Sequence, residues 1–147
     1  EGSGFLAVAD VTARVFETVG RTGVNVYMVF QASSQHSLGF VVRRTDASKV
    51  LRALEREFEL DLLKGRVARI WEEPGMAIVA VVGAGMRGTP GVAGRVFGTL
   101  GQHRINIVAI AQGSSELNIS FVIREDEVAR AVPAIHDAFG LGGSSAD

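Results

Sequence analysis

The sequence predicts an α+β protein made of two βαββαβ units in tandem, and two observations carry that prediction. Offset by 81 residues, positions 2–58 align with 83–139 without a gap, and 17 of the 57 aligned residues are identical. Self-similarity of that extent marks a duplication. Within each copy the apolar residues also change spacing, from continuous β-branched runs to a helical pattern and back. The matched stretches are Gly2-Ser3-Gly4-Phe5 with Gly83-Ala84-Gly85-Met86, Val11 to Phe16 with Val92 to Phe97, Gln31-Ala32-Ser33-Ser34 with Gln112-Gly113-Ser114-Ser115, and Phe40 to Arg43 with Phe121 to Arg124.

The elements are clearest in the second copy. Ala77 to Val82 is a short β-branched run ended by Gly83, which fits a buried strand. Past the loop 85–90, Val92, Val96, Phe97 and Leu100 have helical spacing, and Pro90 suits a helix start because it has no N–H to leave unpaired. Ile105 to Ala111 is a second apolar run, and Leu117 to Ile123 a third in which polar residues alternate. Asp126 to Phe139 has Val128, Ala131, Val132, Ile135 and Phe139 on one face, with Pro133 inside it at the cost of a helical hydrogen bond. The first copy repeats the order with a helix from about Asp10, strands over Asn25–Gln31 and Ser37–Arg43, and a helix over Asp46–Phe58. A closing strand is expected at Val67–Trp71. Each unit is then a ferredoxin-like sandwich with two helices on one sheet face.

Glu72-Glu73-Pro74-Gly75 is the boundary signal, dividing the chain into units 1–74 and 75–147. The first unit lacks a strand to match Ala77–Val82. The second lacks an evident closing strand, because residues 141–147 read as linker. The expectation is a piece of a longer polypeptide, or strands supplied from elsewhere. Unpaired edges favour association, so a homodimer or higher even-numbered homo-oligomer is expected.

Composition narrows the function. Fifteen basic against 16 acidic side chains leave a net charge of −1, without the positive stripe of a nucleic-acid binder or a patch for a membrane surface. No apolar run approaches the ~18 residues of a membrane span, and the opening Glu1-Gly2-Ser3-Gly4 does not read as a signal peptide. The absence of cysteine excludes disulfides and thiolate chemistry and fits a reducing, cytoplasmic setting. His36, His103 and His136 share no ligand spacing, so no metal site is expected, and no cofactor either. No nucleophile–base arrangement or carboxylate pair recurs, and no catalytic residue is assigned.

Gly83-Ala84-Gly85-Met86-Arg87-Gly88 has the setting of a dinucleotide fingerprint, but the acidic residue wanted about 20 positions on is missing. The glycines better suit close approach of an anion to a helix start, where free N–H groups and the helix dipole favour negative charge. The carboxylate of an amino acid fits. Gln31 and Gln112 each end an apolar run at the same register. Their amides offer two donors and an acceptor to a zwitterion or hydroxyl, or else tie down their own loops. Asn25 and Asn106 either make side-chain turns or face the glycine loop. Arg14 and Arg95 read as a solvated helix face or a helix-capping contact, and the run Glu55, Arg56, Glu57 and Glu59 as a solvated helix face.

These residues resemble ACT domains, and most closely the tandem pair in bifunctional aspartokinase–homoserine dehydrogenases. Val81 to Met86, Pro90 to Ala93, Ile105-Asn106-Ile107 and Ala111 to Ser120 are similar to that family's second unit, and Gln31 to Ser37 to its first. The resemblance covers essentially the whole chain. It implies a regulatory module that senses an end-product amino acid, threonine in the bifunctional enzymes and lysine in many monofunctional ones, with catalytic domains attached or associated. By motif, Gln31, Gln112, Asn25, Asn106, Gly85, Met86, Gly91, Val92, Ser114 and Ser115 would line effector crevices. The first copy departs from the pattern: Ala7-Val8-Ala9-Asp10 stands where the second has Gly88-Thr89-Pro90-Gly91. Asp10 would there meet an effector ammonium group or cap the helix. The alternatives are a module that only assembles oligomers, a lysine-sensing region, a dehydrogenase fragment, and an RNA-binding domain of the same strand order, which would need more exposed sheet aromatics and a basic surface.

Overall fold

The computed structural model describes residues 3–32, 37–82, 91–112 and 118–140. The chain divides into two compact units, Glu1–Pro74 and Gly75–Asp147, and each has its own core.

In the first unit, helix α1 (Ser3–Arg21) leads to strands β1 (Met28–Ala32) and β2 (Ser37–Val41), then helix α2 (Arg44–Glu57) and the short helix α3 (Glu59–Leu63). β1 and β2 form an antiparallel ladder from Met28↔Val41 to Ala32↔Ser37. α1 packs inward through Val11, Val15 and Val19, and α2 through Val50 and Leu54. These residues meet Phe58, Val24, Phe40 and Val42 in one cluster. The i, i+4 spacing places each set on one helix face. Asp46 in the first turn of α2 complements the helix dipole.

The second unit runs β3 (Met76–Val82), α4 (Val92–Gln102), β4 (Ala109–Gln112), β5 (Asn118–Arg124), a 3-10 turn at Glu125–Glu127 and α5 (Val128–Ala138). Its sheet order is β3-β5-β4, antiparallel throughout. The central strand β5 carries the fully buried residues Phe121, Ile119 and Ile123. Val96, Leu100, Ile105, Ala131 and Ile135 close over Phe121 and Ile123 from the helix side.

The duplication persists in packing detail. Phe16 meets Phe40 edge-on at 5.8 Å, and Phe97 meets Phe121 edge-on at 6.3 Å. Thr18 donates its hydroxyl to the Arg14 carbonyl at 2.7 Å, and Thr99 to the Arg95 carbonyl at 2.6 Å. Each partner lies 81 residues from its counterpart, so the α+β fold is two versions of one packing scheme.

Several elements differ from the sequence expectation. Residues 67–71 are not a strand. In a βαββαβ sheet the closing strand pairs with the first one, and the described residues contain no strand ahead of α1. Val67 and Ile70 nevertheless pack on the core, so their apolar pattern has a use without a ladder. α1 begins at Ser3 rather than near Asp10, so the stretch aligned with the second copy's glycine loop is helical. Gly91, with φ 81°, interrupts the chain just before α4. Its counterpart is Asp10, preceded by Ala9 instead of a proline, and nothing there stops the helix. β1 and β4 start later than their apolar runs because ladder bonding begins only at the Tyr27 and Val108 amides, which reach Val41 and Val122 at 2.8 Å. α5 continues through Pro133, which is exposed. The expected linker at 141–147 lies outside the described residues. No described helix is long and apolar enough to cross a membrane.

Candidate functional site

Gln31 is the penultimate residue of β1, paired with Leu38, and its side chain is exposed. Gln112 is the last residue of β4, paired with Ile119. The repeat therefore places both glutamines at the same ladder position, opposite the second residue of the following strand. Each strand is held at this register by its apolar partners, Phe40 opposite Val29 and Phe121 opposite Ile110.

Asn25 and Asn106 are exposed in the segments between helix and strand. Six residues of mostly extended chain separate each asparagine from the glutamine of its own unit, about 20 Å at ~3.3 Å per residue. Gly91 sits at the N-terminal boundary of α4 in the left-handed region, where a side chain is strained. Its carbonyl accepts the Arg95 amide at 2.9 Å. Val92, the first helical residue, is half-buried. Gly85, Met86, Ser114 and Ser115 lie outside the described residues, as does the rest of the glycine loop. Asp10 does not cap a helix, since it lies two turns into α1. It is exposed and 3.8 Å from the Arg14 guanidinium.

Arg14 itself is not on a solvated face. Its Nη2 donates to Asp61 Oδ2 at 3.0 Å and to the Glu57 carbonyl at 3.2 Å, and its Nε donates to Glu57 Oε1 at 3.3 Å. The guanidinium lies 4.5 Å over the Phe58 ring, a cation–π contact. Asp61 is buried, and its carbonyl accepts the Arg66 and Val67 amides at 2.8 and 3.1 Å. The hydrogen bond from Arg14, with the charges of Arg14 and Arg66, holds the Asp61 carboxyl below the usual range against the opposing effect of burial. Arg14 is raised in turn, chiefly by the same hydrogen bond. The group staples α1 to the junction of α2 and α3. Only the arginine–phenylalanine part of it recurs in the second unit, where Arg95 lies over the Phe139 ring at 5.3 Å. Among the described residues no three His, Cys, Asp or Glu side chains are placed to hold a metal ion.

Comparison with known proteins agrees with the repeat. The model of the ACT domain family matches residues 1–58 and 79–139. The chloroplastic bifunctional aspartokinase/homoserine dehydrogenase of Daucus carota is 39% identical over 141 residues, covering 96% of this chain and 15% of the relative. Its Arabidopsis thaliana counterpart, bifunctional aspartokinase/homoserine dehydrogenase 1, is 40% identical, covering 96% of this chain and 16% of the relative. The chain thus spans less than a fifth of the length of these relatives. Among solved structures, the ligand-free regulatory subunit of aspartate kinase from Thermus thermophilus superposes with a TM-score of 0.70 at 31% identity, over 88% of this chain and 82% of that one.

Proposed function

Because the chain belongs to the ACT domain family and matches the regulatory region of aspartokinases, we propose that it binds threonine and conveys that binding as feedback inhibition to an aspartokinase. The observation that carries the proposal is the pair Gln31 and Gln112, placed by the duplication at one ladder position in two separate sheets. An amide at a strand end can donate to a carboxylate or hydroxyl and accept from an ammonium group. Gly91, with its left-handed backbone ahead of α4, supplies a helix start at which main-chain N–H groups can meet a carboxylate. Threonine is preferred over lysine because the Daucus carota and Arabidopsis thaliana relatives are bifunctional enzymes, to which the resemblance assigns threonine. The kinase would belong to the same polypeptide or to an associated one, and an even-numbered homo-oligomer would hold the regulatory units. Useful inhibition needs only ~1–3 kcal/mol of coupling between sites.

Isothermal titration of the 147-residue chain with threonine, lysine, methionine and isoleucine tests the proposal. Threonine is expected to give a saturable heat that weakens at least tenfold in the double variant Gln31→Ala/Gln112→Ala. Binding of lysine alone would reassign the effector. No binding of any of the four would leave an assembly module without a ligand.

A further inference from the structure

The outer face of α2 carries three cations in a row. Lys49, Arg52 and Arg56 line a hollow of about 390 Å³ together with Thr22 and Ala53. The last cation lies seven positions after the first, about 10 Å of helix at 1.5 Å per residue. All three side chains are exposed, and among the described residues none has an ion pair or hydrogen bond. Five other arginines, Arg14, Arg21, Arg66, Arg124 and Arg130, each reach a carboxylate, while Arg43, Arg69 and Arg95 lie over aromatic rings. Thr22 contributes wall and no free proton, since its hydroxyl already donates to the Val19 carbonyl.

The repeat supplies an internal control. The positions corresponding to Thr22, Lys49, Arg52, Ala53 and Arg56 are His103, Arg130, Pro133, Ala134 and Asp137. There a proline and an aspartate replace two cations, and the remaining arginine is engaged by Glu127 and the His103 carbonyl. The cationic hollow is therefore peculiar to the first unit and is not a by-product of the fold. It also stands out in a chain of net charge −1.

Neighbouring like charges repel, and a multiply charged anion removes that repulsion while gaining charge-assisted hydrogen bonds from the guanidinium groups. The hollow is open to solvent, so the row of charge rather than enclosure would hold a ligand there. Three cations spaced along a helix match a row of anionic groups better than a single one. We infer that the α2 face of the first unit is a binding site for a small anion bearing two or more consecutive phosphate groups. It uses none of the residues assigned to the amino-acid effector, so it stands or falls separately from that proposal.

The test is calorimetric titration of the 147-residue chain with inorganic tripolyphosphate at low and at moderate sodium chloride. One saturable site is expected, at least tenfold weaker at the higher salt. Lys49→Ala/Arg52→Ala/Arg56→Ala should weaken it at least tenfold, whereas Arg130→Ala should leave it unchanged. The replaced side chains are exposed, so the thermal melt should be unaltered; the single variant Arg52→Gln, expected to lose several-fold affinity, serves if the triple variant melts early. Equal affinity of wild type and variants would overturn the inference, as would sulfate binding as tightly as tripolyphosphate. A glutamate-rich decapeptide binding more tightly than tripolyphosphate would overturn it in favour of an acidic protein partner.

Discussion

Asp61 is a buried carboxylate, and it stays charged because Arg14 reaches it directly and Arg66 adds its own charge. Its folded-state pKa lies below that of the unfolded chain, so acid protonates the unfolded state first. The stabilisation is complete above about pH 4, the ordinary aspartate range, and is lost as the pH falls through the depressed folded value. Thermal melts between pH 7 and pH 3 should show Asp61→Asn with a lower midpoint at neutral pH and a flatter decline in acid than the wild type. Identical acid slopes would remove Asp61 from the account. Arg104 is the opposite case, a side chain at odds with its backbone. Its φ of 56° sits where the first copy has Gly23 at 72°, and left-handed backbone costs an ordinary residue about 1–2 kcal/mol. Arg104→Gly is expected to raise the unfolding free energy by about 0.5–1 kcal/mol in urea titrations, part of the gain being offset by the flexibility of glycine in the unfolded chain. A lower value would mean that the arginine side chain contributes more than its backbone costs.

At the scale of elements, the β1–β2 ladder depends on one missing side chain. Gly39 pairs with Phe30, and a Cβ on Gly39 would run into the Phe30 ring. Gly39→Ala must push that ring off the ladder and should cost about 1–3 kcal/mol, in the range of overpacked sites. An unchanged denaturant midpoint would show that the ring has room to move. Elements whose pattern is local were legible in the sequence. β5 is one, because alternation through Ile119, Phe121 and Ile123 needs no knowledge of the neighbours. Residues 67–71 were not, because their apolar residues resemble a strand while strand formation depends on a partner elsewhere. The start of α1 was misplaced because the repeat carried a loop from a copy with Pro90 and Gly91 to one with Ala9 and Asp10. In the candidate site, the register of Gln31 and Gln112 could be read because both fall inside the aligned stretch. The Arg14 staple could not, because Asp61 lies beyond that stretch and the offset of 81 sets a glycine against it.

Across the whole molecule the two units are unequally built. The second has a three-stranded sheet whose central strand is bonded on both sides and carries fully buried Phe121 and Ile123. The first has a two-stranded ladder whose second strand is only half-buried. Local opening follows such differences in burial and pairing. Native-state hydrogen exchange should therefore find the amides of residues 119–123 the slowest, with those of β1 and β2 at least tenfold faster; equal protection would contradict this ranking. The carboxylates at positions 57 and 61 have a longer reach. Their counterparts at 138 and 142 are alanine and glycine, so the two halves of the duplication have stopped being spare parts for one another. A recombination event that overwrote the first half with the second would leave Arg14 stranded beside a ring, with no acid to answer it, and such homogenising exchanges between the copies would be selected against.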